Sequence, residues 1–256
     1  MDFTLKKYAS LCAALVAADY RSLTHADFMR GDGHEGRIVL LRHDVDSRPR
    51  HAIKLAQIER DHGLTATYYF RTRGRAFDAE AIRAIHRLGH EVGYHYETLA
   101  LAGGDMSRAV EQFRADVAML RELAPIHTAS MHGSPLSRYD NRAIWELVSP
   151  EDFGLVGEAY RDIDYGQVVY LNDTGRTWNP TRYNLRDVTG EVPRVLAEST
   201  DDLIALIAAG ALDSVVISCH PERWPSNPVM WSLQAARDMV ANCVKVVLRK
   251  GMGGPT

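Results

Sequence analysis

The chain has 256 residues, 46% hydrophobic and 25% charged, which is ordinary globular usage with enough apolar material for one sizeable core. A formal net charge of −3 gives no electrostatic case for nucleic acid or an anionic membrane surface as partner. Three cysteines, Cys12, Cys219 and Cys243, are odd in number and lack CxxC spacing, which argues against a disulfide scaffold and fits a reducing compartment.

Near the amino terminus, Lys6-Lys7 precede the alanine-rich run 9–18, an order shared with secretory leaders. Leu5, Tyr8, Leu11, Cys12 and Leu15 nevertheless fall at helical spacing, and the run is too short to span a bilayer. The expectation is an ordinary first helix within a lead-in over residues 1–35, in a cytoplasmic protein without membrane insertion.

Ile38-Val39-Leu40-Leu41 reads as a buried parallel strand of the kind helices cover on both faces. It runs into Arg42-His43-Asp44-Val45-Asp46. Asp44 and Asp46 are two apart, so in extended chain both carboxylates point to one side at the strand's carboxyl end. Carboxylates that close repel unless a cation lies between them or one holds a proton. That is the setting of a metal ligand beside a general base. Helix capping is the rival explanation, but a cap needs one short polar residue, and Ser47 ahead of Pro49 supplies it.

The pattern then alternates. A helix is expected from Arg48 to His62 with Gly63 past its end, then a strand over 65–70. Asp78 caps a helix ending at Leu88-Gly89, and 91–95 is the third strand. Ser107 opens a helix carrying Val110, Phe113, Val117 and Leu120. A fourth strand covers His127–Met131, with a helix around Asn141–Val148 after it. Phe153–Val156 and Gln167–Leu171 are weaker strand signals. Asp201–Ala209 is helical, Ser214–Ser218 is a strand, Met230–Leu248 a long helix, and 251–256 a flexible tail. Repeated βα units predict a single α/β domain over 1–256, a distorted (β/α) barrel of about seven parallel strands.

In such a barrel the site forms at the carboxyl ends of the strands. Those ends carry His43, Asp44 and Asp46; His95 and Glu97; His132 with Gly133 and Pro135; Asp173, Arg176 and Trp178; and His220 with Glu222 and Trp224. A strand-end histidine alone is more often a hydrogen-bonded structural residue than a ligand. Three converging on one mouth with aspartate form a normal ligand set for zinc or a similar divalent ion. Tyr94, Tyr96, Trp178 and Trp224 either stack on a sugar ring or pack loops over the barrel. Cys219 lies in a buried-strand pattern facing away from His220 and is expected to be inert.

These motifs, in this order, resemble the NodB-like polysaccharide deacetylases, carbohydrate esterase family four. Arg42-His43-Asp44-Val45-Asp46 is similar to a spaced variant of the family's first block, which implies Asp44 as base and Asp46 as metal ligand. Gly89-His90-Glu91-Val92-Gly93-Tyr94-His95 is similar to the second block and implies His95 as the first metal histidine. The strand ending at His220 is similar to the last block and implies a general-acid histidine. Where the family has its second metal histidine this chain has Leu99, so Glu97 or His132 is left to complete the metal site. The third block's arginine, which holds the base, is replaced at His132. The segment 172–178 resembles the fourth block loosely, which implies supporting or substrate-binding roles for Asp173, Arg176 and Trp178, with Trp224 and Arg42 alongside.

The resemblance implies a metal-dependent hydrolase with one divalent ion, zinc expected, acting on an N-acetylated sugar or oligosaccharide. With its departures, the resemblance implies a divergent branch, of the kind associated with bacterial surface-polysaccharide (O-antigen or capsule, lipopolysaccharide) biosynthesis. Two alternatives stay open: an amidohydrolase on a small amide, with or without metal, and a catalytically dead sugar-binding barrel.

Overall fold

The computed structural model describes residues 1–32, 35–134, 137–179, 183, 189 and 197–251, the last six of these by backbone alone. Pro135 and the expected tail from 252 onward lie outside the described residues. Among the described residues, eight strands form one parallel sheet: β1 (Arg21–Ser22), β2 (Ile38–Val45), β3 (Ala66–Phe70), β4 (Glu91–Tyr96), β5 (Ile126–Met131), β6 (Gly157–Glu158), β7 (Val169–Asn172) and β8 (Ser214–Cys219). The order is β6-β5-β4-β3-β2-β8-β7, with β1 paired to the start of β2. Helices α1 (Leu5–Ala17), α2 (His25–Arg30), α3 (Pro49–Asp61), α4 (Ala79–Arg87), α5 (Thr98–Leu101), α6 (Met106–Arg121), α7 (Thr200–Ala208) and α8 (Pro228–Gly251) complete the βα pattern.

The sheet curls until its edges approach each other. Tyr160, just past β6, takes a hydrogen bond of 2.8 Å from Arg42 on the central strand. Its ring also lies 6.3 Å from that of Tyr170 on β7. All eight residues of β2 are buried, as a strand covered on both faces requires. On the outer face lies the main core, into which α1 sends Tyr8, Leu11, Cys12 and Leu15. Inside the curl, a smaller apolar cluster includes Leu40, Tyr170 and Val216. The floor is closed by α2, whose Ala26 N–H donates to Glu91 at 3.1 Å, while Thr67 and Thr128 donate to the same carboxylate. Gly93 is required beneath the mouth, because a Cβ there would collide with the Tyr69 ring.

Three local expectations are corrected. Ser47 does not cap α3: the N-cap is Arg48, at φ 53° and without a side-chain capping bond. Helix α6 is capped by Asp105, whose carboxylate accepts from the Arg108 N–H, and not by Ser107. The helix expected around 141–148 is only a 3₁₀ turn, Asn141–Glu146. There the Asn141 side chain bonds the Ala100 N–H and the His132 carbonyl, drawing the segment onto the mouth instead of into a regular helix.

Candidate active site

Strand alternation sorts the residues of the first motif onto two faces. Arg42 and Asp44 point into the curl, and His43 points out. His43 Nε2 meets Glu59 of α3 at 2.6 Å, and its ring stacks on Tyr68 with centroids 4.2 Å apart. Tyr8 and Tyr68 also donate to Glu59, so His43 belongs to a buried polar knot behind the sheet and not to the mouth.

Three side chains meet in the mouth. Asp46 Oδ1 lies 3.5 Å from His95 Nε2 and 3.6 Å from His132 Nε2. The ligand atoms of all three lie within 4.8 Å of one another. Asp46 Oδ1 is buried and has no hydrogen-bond partner among the described residues, which is costly unless something outside the protein satisfies it. Ligands about 2.1 Å from a tetrahedral zinc stand roughly 3.4 Å apart, so the spacing suits such an ion. Each ring is also oriented from behind. The Ser130 carbonyl faces His95 Nδ1 at 3.0 Å, and the Glu97 carboxylate faces His132 Nδ1 at 3.0 Å. These residues therefore fit a divalent cation.

Glu97 is accordingly not in the group of three. It holds the far nitrogen of His132 and is itself gripped by Arg71. Burial works against its charge, but His132 and Arg71 hold its carboxyl down to about 2. Burial, opposed by Asp44 and Asp46, lowers His95 to about 4, so its imidazole is neutral at physiological pH. His132 is raised: Asp46 and Glu97 outweigh its burial. Leu99 is buried in α5, and the third member of the group is His132, just past the end of β5.

Asp44 stands beside this group, its Oδ2 4.0 Å from His95 Nε2. Arg42 binds it with a fork, Nε to Oδ1 at 2.9 Å and Nη2 to Oδ2 at 2.8 Å. Burial alone would raise Asp44, but Arg42, with His95 and His220 behind it, holds the carboxyl well below the usual carboxylate range. The arginine that holds Asp44 therefore comes from the first motif, two residues ahead of it.

On the other side, His220 Nε2 lies 3.9 Å from Asp46 Oδ2, and its Nδ1 bonds Asp173 at 2.7 Å. Burial and Arg223 push His220 down; Asp173 and Asp46 outweigh them and leave it above the ordinary imidazole value. Asp173 also accepts from the Trp224 indole N–H at 2.9 Å and from Arg223 at 2.6 Å. Arg223 is a contact residue the motifs did not reveal, since only its spacing after His220 on the turn Pro221–Arg223 brings it there. Glu222, on the same turn, is pushed up to about 7 by burial and by Asp46.

The remaining sequence candidates lie elsewhere. Arg176 pairs with Asp238 on α8 at 3.5 Å and sits over the Trp231 ring, away from the mouth. Trp178 and Trp224 are both 0% exposed, and Tyr94 and Tyr96 are also buried, so these rings pack the wall and are not open to stack on a sugar. Trp178 donates to Thr200 and stacks on Phe3. Cys219 is buried, with its thiol pushed up by burial, as expected of an inert residue.

No family model matches the chain, and no curated protein matches it. Among solved structures it is similar to a CE4 esterase from Streptococcus mutans, at 14% identity over 92% of this chain and 90% of that one, TM-score 0.48. It is also similar to a CE4 family pseudoenzyme from Bacillus anthracis, at 13% identity over 87% of this chain, TM-score 0.47, and spans only 64% of that protein. A family 4 carbohydrate esterase from Streptomyces lividans in complex with acetate gives 17% identity over 80% of this chain and 88% of that one, TM-score 0.42. At these identities and scores the likeness is one of chain course.

Proposed function

We propose that the chain is a metal-dependent hydrolase that removes an N-acetyl group from an amino sugar of a bacterial surface polysaccharide or its precursor. The observation that carries this reading is the arrangement around Asp46. Oδ1 faces two imidazoles, Oδ2 faces a third held by a buried carboxylate, and a separately clamped carboxylate, Asp44, stands beside the first pair. The narrower choice of sugar follows from the motif resemblance.

Asp46, His95 and His132 would hold one divalent ion, zinc being the expected one, which when bound acidifies water and polarises an amide carbonyl. Asp44, kept ionised by Arg42, accepts the proton of the attacking water. His220 supplies the proton that the departing amine needs, because an unprotonated amine is a very poor leaving group. Asp173 fixes His220 by Nδ1, which leaves Nε2 aimed at the mouth.

Acetate release from N-acetylated amino sugars tests the reading. Release should require divalent metal, stop with chelator, and fall about 10²–10⁴-fold in Asp44→Asn and in His220→Gln. Binding of the sugar with no release at any metal concentration would leave a sugar-binding barrel instead.

A further inference from the structure

The proposed acid is tied to a helix that gives no residue to the metal-binding group. Asp173 Oδ1 accepts from His220 Nδ1 at 2.7 Å and from Arg223 Nη1 at 2.6 Å, and these two nitrogens are themselves only 2.7 Å apart. Asp173 Oδ2 is already taken by the His220 N–H and the Trp224 indole, each at 2.9 Å. An imidazole and a guanidinium therefore crowd one oxygen. The guanidinium, permanently charged and able to fork, is the stronger competitor for a carboxylate.

A second anion faces it from α8. Asp238 Oδ1 stands 3.7 Å from Arg223 Nε. Asp238 is itself buried and held by Gln234 Nε2 at 3.2 Å and Arg176 Nη1 at 3.5 Å. Arg176 in turn is fixed over the rings of Trp231 and Phe3, at 4.6 and 5.1 Å. The line His220, Asp173, Arg223, Asp238, Arg176 thus runs with alternating donors and acceptors from the mouth to the last helix.

We propose that Asp238 is a positioning residue for His220: it draws Arg223 toward α8, so that Asp173 keeps its bond to Nδ1 and Nε2 stays aimed into the mouth. This rests on the reading of His220 as the acid. Without Asp238, Arg223, already 2.6 Å from Asp173 Oδ1, takes that oxygen for itself and displaces the imidazole.

The test is made on the full chain loaded with zinc, with two readouts. The first is the downfield proton resonance of a carboxylate-bound His220 Nδ1–H, assigned by its loss in His220→Gln. The second is the split between kcat and KM for acetate release. Asp238→Asn should lose the resonance and at least about tenfold in kcat, part of what a general acid supplies, with KM unchanged. Removing the competitor should undo this, so the double variant Asp238→Asn/Arg223→Gln regains the resonance and matches Arg223→Gln alone. A resonance and kcat unchanged in Asp238→Asn would overturn the proposal. So would a further loss on adding Asp238→Asn to Arg223→Gln, a comparison that serves even if the single variant does not fold. A wild-type protein that releases no acetate sinks the functional reading, while the resonance still decides the role of Asp238.

Discussion

Arg42 and Asp44, two residues apart on one buried strand, meet through two nearly parallel hydrogen bonds of 2.9 and 2.8 Å. The guanidinium also lies over the Tyr160 ring, 4.5 Å from its centroid, so its plane is fixed from a second direction. A lysine there would be a point charge without the fork. Arg42→Lys should lower kcat by about 10- to 100-fold as Asp44 loses its orientation. Arg42→Ala should in addition cost on the order of 3–5 kcal/mol in urea unfolding, because it leaves Asp44 buried and unpaired. Wild-type rate and stability in Arg42→Lys would show that the fork does nothing.

Glu97 and His132 should separate cleanly in metal titrations. Removing the imidazole in His132→Ala takes away a ligand and should abolish tight binding, whereas Glu97→Gln should weaken it only about 10- to 100-fold. Because Asp46 and Glu97 raise His132, an ion must displace its proton. Affinity should therefore fall as pH drops through that raised value. Calorimetry with zinc at several pH values reads both effects, and equal losses in the two variants would place Glu97 among the ligands.

His25 lies buried under the mouth with Nδ1 2.7 Å from the Tyr69 hydroxyl. Burial first, then Arg42, lowers it to about 3, with Asp44 opposing. The unfolded chain therefore takes a proton near pH 6.5 that the folded chain refuses, and stability falls from there down to about pH 3. Glu158, raised to about 7 by burial, has the opposite sign between its ordinary 4.5 and 7, so the two partly cancel there. The comparison with His25→Gln isolates the histidine: the variant should lose less stability between pH 6.5 and pH 3, by on the order of a few kcal/mol. Parallel urea midpoints for the two proteins would count against a neutral buried His25.

The knot behind the sheet should matter for folding and not for chemistry. Glu59 accepts from Tyr8, from Tyr68 at 2.7 Å and from His43 at 2.6 Å, all fully buried. Glu59→Ala should destabilise the fold by about 3–5 kcal/mol. Zinc affinity in the fraction that remains folded should not change.

The barrel and its site were legible from the sequence to different depths. Strands ending in charged residues are anomalous enough to mark a mouth, and Asp46, His95, His132 and His220 do meet there. Spacing of two put Asp44 and Asp46 on one side, and the same alternation should have sent His43 away, into the knot with Glu59. The choice between Glu97 and His132 was not legible, because it depends on which ring nitrogen faces inward across two strands. Arg176 was misplaced for a related reason. Its loop turns at φ 59° and carries the side chain to Asp238, leaving Arg223 to reach Asp173. The sequence left the tryptophans between sugar stacking and loop packing, and packing holds: Trp224 spends its indole N–H on Asp173 inside the wall.

Asp46, His95 and His132 are proposed to grip one divalent ion. Metal content after zinc loading and desalting tests it most directly, measured on the wild type and on Asp46→Ala and His95→Ala. One equivalent of zinc per wild-type chain is expected, and none retained by either folded variant. A wild type that retains no zinc, or variants that retain it as well as the wild type does, would contradict it.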